Sequence, residues 1–582
     1  MSDETPQQGL DRGLTNYGDT EFARFLRRSF AQSMGYTKRS LAKPVIGIAN
    51  AGSDFNNCHR HFPELIAAVK RGVLAAGGLP MEFPSISLGE PFLYPTSMMF
   101  RNLMSMDVEE MIRAQPMDAV VLVGGCDKTV PAQLMGALSA GCPAIQLVGG
   151  PMMTGRYQGE RLGACTDCRR HWGRYRAGEI GAREIGAIEG NLATTAGSCA
   201  VMGTASTMAC VVEALGMMLP HTAAIPAVHA DRLRAAEATG AQAVWLAQQG
   251  LRPEAIVTAQ SIDNALRVLL AISGSTNAVI HLTAIAGRLG LPVEAERLNR
   301  LSEETPVLVD LKPTGTHYME DLYAAGGVQA ILRELADLLH RDCMTVAGKT
   351  VGELLDEQRD AWVDHQVIRP RREPLKPEGG LLALSGSLAP NGALIKRAAA
   401  DESLFEHTGR AVVFDDLQDM AERLDAEDLD VRPDDVLVLR NAGPLAAAMP
   451  EAGYIPIPAK LARQGVRDMV RISDARMSGT AYGTVVLHVS PEAALGGPLA
   501  LVRSGDRIRL SVARRTIDLL VDEAELARRR AAWTPPQAPA RRGYQWLYQQ
   551  HVMQAENGCD FDFLRAQARP DDAGTDRQGD RP

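Results

Sequence analysis

From Pro44 to Gly150 the chain repeats one pattern, and that repetition limits the fold more than any other feature. Short apolar runs, PVIGIAN, MEFPSISLG, DAVVLVGG and PAIQLVGG, are separated by longer stretches of helical periodicity, FPELIAAVKRGVLAAGG, SMMFRNLMSMDVEEMIRAQ and VPAQLMGALSAG. Such alternation builds βαβ units, because a parallel strand needs a long crossover to return the chain to the same end of the sheet. The expected fold class is α/β with an N-terminal parallel-sheet domain. In open sheets of this kind ligands bind at the carboxyl ends of the strands, where loops converge and helix N-termini point inward.

The residues after these strands carry the chemistry. PVIGIAN leads to AGSDFNNCHRH with Cys58, MEFPSISLG to Glu90, and DAVVLVGG to Cys126, Asp127 and Lys128. A further segment, NLATTAGSCAVMGTASTMAC, puts Cys199 in a loop of small residues before a buried helical stretch, where free backbone N–H groups favour a thiolate or the sulfides of a cluster. Cys58, Cys126 and Cys199 are far apart in sequence and can meet only through the fold. Three thiolates without a local spacing motif fit an iron-sulfur cluster with an open coordination site, and zinc satisfies the same donors. Cys210 follows the apolar pattern of its helix and reads as core. Cys142, Cys343 and Cys559 have no visible acidic or histidine partners in a motif and read as structural. The pair in GACTDCRRHW, Cys165 and Cys168, has no second CxxC and no thioredoxin-like flank, and reads as a turn with incidental cysteines.

GGCDKT is not a phosphate loop, because Asp127 stands where the Walker pattern demands glycine before the lysine. Asp127 and Glu90 are hard oxygen donors of the type magnesium takes. Lys128 beside them is either a counter-ion or, if carbamylated, a further oxygen ligand.

At 582 residues the chain is too long for one core. The stretch WVDHQVIRPRREPLKPEGG, rich in proline and charge, marks a boundary, with residues 1–375 before it and 376–565 after it. Beyond it AVVFDD, DVLVLRNAG, DMVRISDAR and GTVVLHVS read as strands, and Ser504-Gly505-Asp506 as a hairpin turn within LALVRSGDRIRLSV. The loop RISDARMSGT carries Ser473, Asp474, Arg476 and Ser478, and NAGPLAAAMPEAG carries Glu451. Residues 566–582 are polar and expected to be disordered. A formal charge of -9 without a basic block argues against nucleic acid. An acidic, polar start and the lack of any membrane-length apolar run point to the cytoplasm, with a small molecule as partner.

Taken together, GGCDKTVPAQLMGA, GSCAVMGTASTMA, SGSTNAVIHL, MEDLYAAGG and RISDARMSGT resemble the dihydroxy-acid and sugar-acid dehydratase family, which includes phosphogluconate dehydratase. The resemblance runs from about Leu14 to Leu564. It implies a C-terminal swivelling β-barrel-like domain, a homodimer or homotetramer, and an active site between the domains. It further implies a [2Fe-2S] cluster on Cys58, Cys126 and Cys199, with Mg2+ on Glu90, Asp127, Glu451 and a carbamylated Lys128, and Ser478 as the base. Within the family, FRNLMSMDVEEMIRAQPMDAVVLVGGCDKTVPAQ and the CTDCRR segment look closest to the aldonate dehydratases. The implied reaction is dehydration of a 2,3-dihydroxy sugar acid to a 2-keto-3-deoxy acid. The branched-chain dihydroxy-acid dehydratase is the rival among enzymes, and a non-catalytic iron-sulfur carrier or sensor, which wants a complete four-ligand cage, is the rival of another class. Leu445 to Ala448 stand where relatives have glycine, so the loop carrying Glu451 is expected to sit differently for want of positive φ.

Overall fold

The structure, a computed structural model, describes residues 8–14, 17–536 and 540–566. Most of the polar tail read as disordered, residues 567–582, lies outside them, as do residues 1–7 of the acidic start. Among the described residues no helix is long and apolar enough to cross a membrane.

The N-terminal domain is built on four parallel strands, β1 (Val45–Asn50), β2 (Leu79–Pro84), β3 (Ala119–Gly124) and β4 (Ala144–Val148), in the order β2-β1-β3-β4. Helices cover both faces, so β3 is buried along its whole length and reads as an unbroken apolar run. Each of its fully buried branched side chains contributes about 1.5–3 kcal/mol by leaving water. The helix Phe62–Ala75 packs on Ala230–Gln249 through bare backbone: a Cβ on Gly72 would lie 1.9 Å from the Glu237 carbonyl oxygen. Because β2 and β3 flank β1, the strand order reverses direction at β1/β3, where a crevice opens at the carboxyl ends. Cys58 and Cys126 follow those two strands.

After a short hairpin, β5 (Gly155–Tyr157) and β6 (Glu160–Leu162), the chain is helical until β7 (Leu382–Leu384). The helices Ala259–Ala271 and Asn277–Gly287 are separated by a break at SGSTN.

The C-terminal sheet adds β8 (Gly392–Ile395), β9 (Glu406–Phe414), β10 (Val436–Leu439), β11 (Arg471–Ser473), β12 (Val485–Ser490), β13 (Arg507–Ser511) and β14 (Thr516–Leu519). Their order is β14-β13-β9-β10-β11-β12-β8-β7, and a bridge between Ser385 and Thr516 nearly closes the ends. Side chains alternate between two cores: Val436 and Val438 join one, Leu437 and Leu439 the other. The mixed α/β class and the barrel-like second sheet thus agree with expectation. One local reading is corrected. Ser504-Gly505-Asp506 does not join two strands, because Pro498–Leu501 before it is a helical turn; the hairpin is β13–β14.

The last described segment returns to the N-terminal domain. Tyr544 donates from its hydroxyl to the Met99 carbonyl at 2.6 Å, and Arg288 pairs with Asp560 at 2.6 Å with both side chains fully buried.

Candidate active site between the two sheets

Strands from both domains end at one cleft. The N-terminal sheet delivers Cys58, Glu90 and the Cys126-Asp127-Lys128 run, and β10 and β11 deliver Glu451 and Ser478 on the loops that follow them. The two C-terminal loops are stitched together by a bridge between Ala452 and Met477 and by the Gly453 N–H donating to the Arg476 carbonyl at 2.9 Å.

Carboxylate oxygens of Glu90, Asp127 and Glu451 all lie within 4.8 Å of one another. Two buried cations hold them together. Arg476, fully buried, donates to Glu90 at 2.9 Å and to Glu451 at 2.6 Å, so it joins the domains through their acids. Its remaining donors reach the Thr96 hydroxyl at 3.0 Å and the Met449 carbonyl at 2.7 Å. Lys128, also fully buried, pairs with Asp127 and lies 3.8 Å from Glu90. Burial acts to raise the Glu90 carboxyl, but Arg476, Lys128 and the hydroxyls of Ser97 and Thr96 outweigh it and hold Glu90 at about 2. Glu90 is therefore held ionised, whereas burial acts in the opposite direction on Glu451 and raises its carboxyl; the three acids are drawn together from both halves of the chain.

Cys126 flanks this acidic cluster. The neighbouring Cys58 thiol, together with burial, pushes the Cys126 thiol well above its usual range. Cys126 Sγ is 3.6 Å from Asp127 Oδ1. Cys199 is set by Gly197, whose φ of +116° and approach to the Gly150 carbonyl, 2.7 Å from a notional Cβ, exclude a side chain. Ser198 is bridged to Pro151, just past β4, so Cys199 also emerges at the carboxyl edge of the sheet.

Ser478 is 8% exposed, and its hydroxyl lies 2.8 Å from that of Thr480. Three of the motifs interlock around it. Asn277 of SGSTN donates to the Met477 carbonyl at 3.0 Å and to the Thr204 hydroxyl at 3.1 Å, and Thr204 in turn meets Ser275 at 2.8 Å. A Cβ on Gly479 would lie 2.7 Å from Ser275 Cβ, which explains the glycine after the serine.

Three features escaped sequence reading. Cys165 is not an isolated turn residue: its Sγ lies 3.3 Å from Cys199 Sγ, a contact across 34 positions that no spacing rule reveals. His59 accepts from the Cys126 N–H at 3.1 Å through Nε2, while Nδ1 faces the Ala51 carbonyl at 2.6 Å. Those partners fix the tautomer with its proton on Nδ1, and burial lowers the ring to about 3, so it stays neutral. The third is the Glu451 loop. Its sequence was expected to forbid positive φ, yet Ala448 and Met449 take φ of +55° and +51° after the helical turn Pro444–Ala447. Left-handed alanine costs about 1–2 kcal/mol. Packing offsets it: Ala448 is buried with Tyr548 and Phe561, and Met449 with Met98 and Cys559. Glu451 accordingly reaches the other acids without glycine.

Two further carboxylates anchor that loop. Glu492 accepts from the N–H groups of Leu445 and Ala446 at 2.8 and 3.1 Å, and Asp474 from those of Ala442 and Ala493, both at 3.0 Å. Burial, reinforced by Glu492, pushes Asp474 up to about 7. A raised carboxyl favours the fold fully below its ordinary range and loses that contribution as pH rises through about 7, a change of a few kcal/mol. Urea unfolding of Asp474→Asn is therefore expected to vary less with pH between about 4 and 7 than that of the parent; equal slopes would refute the shift.

The comparisons with known proteins agree with this architecture. The profile described as dihydroxy-acid/6-phosphogluconate dehydratase N-terminal matches residues 43–354, and its C-terminal counterpart matches residues 366–559. The L-arabonate dehydratase of Azospirillum brasilense is 48% identical over 560 residues, covering 94% of this chain and 96% of that protein. The 6-deoxy-6-sulfo-D-gluconate dehydratase of Pseudomonas putida is 44% identical, covering 93% and 94%. A dihydroxy-acid dehydratase of Syntrophobacter fumaroxidans is 38% identical, covering 91% and 96%. With both profiles matched in order across two domains that share one cleft, the chain belongs to the dihydroxy-acid/6-phosphogluconate dehydratase family of hydro-lyases.

Proposed function

We propose that the protein is an aldonate dehydratase that converts a 2,3-dihydroxy sugar acid to a 2-keto-3-deoxy acid, using a [2Fe-2S] cluster and Mg2+. The observation that carries this reading is a compact set of carboxylates drawn from both domains, with Cys126 against one of them and the buried Ser478 two residues from the arginine that joins the other two. The donor chemistry fits both groups, thiols for iron and carboxylate oxygens for magnesium. Cys58, Cys126 and Cys199 would hold the cluster; Glu90, Asp127, Glu451 and a carbamylated Lys128 would hold the magnesium. The names of the more similar relatives, which act on arabonate and sulfogluconate, support a sugar acid.

When bound, the two groups supply Lewis acidity, stabilising negative charge at the substrate carboxylate and C2 hydroxyl and at the departing C3 hydroxyl. The protein's own residues orient the acids and move the proton. Arg476 keeps Glu90 and Glu451 from repelling one another, and Asp474 and Glu492 keep the Glu451 loop in place. Ser478 Oγ, as an alkoxide, takes the C2 proton and becomes the neutral hydroxyl, with the Thr480 hydroxyl 2.8 Å away placed to donate to the alkoxide and aim it. Loss of the C3 hydroxyl leaves an enol, which tautomerises to the ketone.

Protein purified without air should be brown and, with magnesium, should release a 2-keto acid from at least one of L-arabinonate, D-xylonate and D-gluconate. Turnover of dihydroxyisovalerate alone would replace the sugar-acid reading by the branched-chain one. Full activity in colourless, zinc-loaded protein would sink the cluster.

A further inference from the structure

Cys165 and Cys168 have no part in the reaction as proposed, yet the fold brings them to its edge. Cys165 Sγ is in contact with Cys199 Sγ at 3.3 Å, and the Cys168 thiol donates to the Cys165 carbonyl at 2.7 Å. Cys165 therefore stands between Cys199, in sulfur contact with it, and Cys168, three residues on in the first turn of the same helix. Cys165 occupies the cap of the helix Thr166–Arg176 at φ +82°, and Thr166 donates to the Thr480 carbonyl at 3.1 Å, tying this helix to the Ser478 loop. None of the three is fully buried, so a small oxidant can reach them. The thiol neighbouring Cys126 is Cys58.

We propose that Cys165 is a resolving thiol that captures Cys199 as a disulfide when peroxide strips the cluster, and that Cys168 then releases Cys199 by exchange. The inference rests on Cys199 being a cluster ligand. The Cys199 thiolate attacks hydrogen peroxide, the O–O bond breaks, and sulfenic acid and hydroxide form. Cys165 sulfur attacks the Cys199 sulfur, the S–O bond breaks, and water leaves. In sum, two thiols and one peroxide give one disulfide and two waters, the two electrons passing from sulfur to oxygen. Cys168 then attacks Cys165, freeing the Cys199 thiolate to hold iron again and leaving a Cys165–Cys168 disulfide for a cellular dithiol to reduce. Without Cys165 the sulfenic acid would persist and oxidise irreversibly to sulfinic or sulfonic acid.

The test treats air-free, iron-loaded protein with hydrogen peroxide, blocks free thiols with iodoacetamide, and maps non-reduced peptides by mass spectrometry while iron is counted in parallel. As iron leaves the parent, peptides joined through Cys165–Cys199 should appear, giving way to Cys165–Cys168. Cys168→Ala should trap the first linkage. Cys165→Ser should bind iron normally at the outset, then accumulate sulfonic acid at Cys199 and recover about tenfold less cluster absorbance after dithiothreitol, iron and sulfide are supplied. Equal over-oxidation of Cys199 in parent and Cys165→Ser would overturn the proposal, as would linkage of Cys199 to Cys58 or Cys126. A Cys165→Ser protein that never loads iron would also overturn it, making Cys165 a ligand instead. A parent that binds no iron at all would fail the cluster reading by the iron count, separately from the disulfide map.

Discussion

Ser478→Ala is expected to slow sugar-acid turnover about a thousandfold, within the range that a positioned acid or base supplies, while iron content and cluster absorbance stay at parental levels. The effect should fall on kcat with little change in KM, because the hydroxyl acts on the C2 proton rather than on the groups that hold the substrate. Structure gives the substitution little else to disturb. Among the described residues the Ser478 hydroxyl hydrogen-bonds only with Thr480, and the backbone around it is pinned by Asn277 on one side and by Gly479 against Ser275 on the other. Thr480→Val provides the graded control: it keeps the base but removes its orienting donor, so a smaller loss is expected. Solvent-exchange of the C2 proton separates the step concerned, since deuterium should enter C2 of recovered substrate in the parent only. Activity in Ser478→Ala above about a tenth of the parent would remove the serine as base.

Legibility of the fold and site followed the range of the interactions. β1, β3 and β4 were visible because a strand covered on both faces must be apolar throughout, and the reactive residues directly after them were visible because strand ends point into the crevice. Glu451 and Ser478 lie on the loops after β10 and β11, but their roles were implied only by the family resemblance, since a serine without a histidine and a lone glutamate read as ordinary loop residues. Contacts made only by tertiary packing left no local trace. Nothing in GACTDCRRHW says that Cys165 meets Cys199, and nothing around His59 says that its ring receives the Cys126 N–H. The Ala448 reading failed for a related reason. Intrinsic φ preference is worth a kcal/mol or two, and burial against Tyr548 and Phe561 exceeds it. Those partners lie about a hundred residues further on, in a segment that returns to the N-terminal domain. The misplaced hairpin likewise came from LALV, whose apolar residues are as compatible with a helical turn after proline as with a strand.

Lys128→Met is expected to weaken magnesium binding by roughly a thousandfold, and the sign of that change distinguishes the two roles open to this lysine. As an ammonium, Lys128 neutralises Asp127 and Glu90 and competes with any cation for their oxygens. Its removal would leave three clustered carboxylates facing Arg476 alone and would tighten binding of a divalent cation. As a carbamate, formed when the neutral amine adds to carbon dioxide with loss of a proton, it carries negative charge and donates oxygen. Removal then loses a ligand and a charge together. One unit charge at about 4 Å in a partly buried site is worth ~4 kcal/mol, so the two roles differ by far more than measurement error. Manganese titration followed by electron paramagnetic resonance reads the affinity directly, with glutamate at the same position as a partial rescue that restores an oxygen donor. Carbon-13 bicarbonate should add a carbamate signal to the parent and none to Lys128→Met. Methionine suits the fully buried position sterically, so the fold has an apolar side chain of similar length to pack. Tighter metal binding in Lys128→Met would establish the counter-ion and rule out carbamylation.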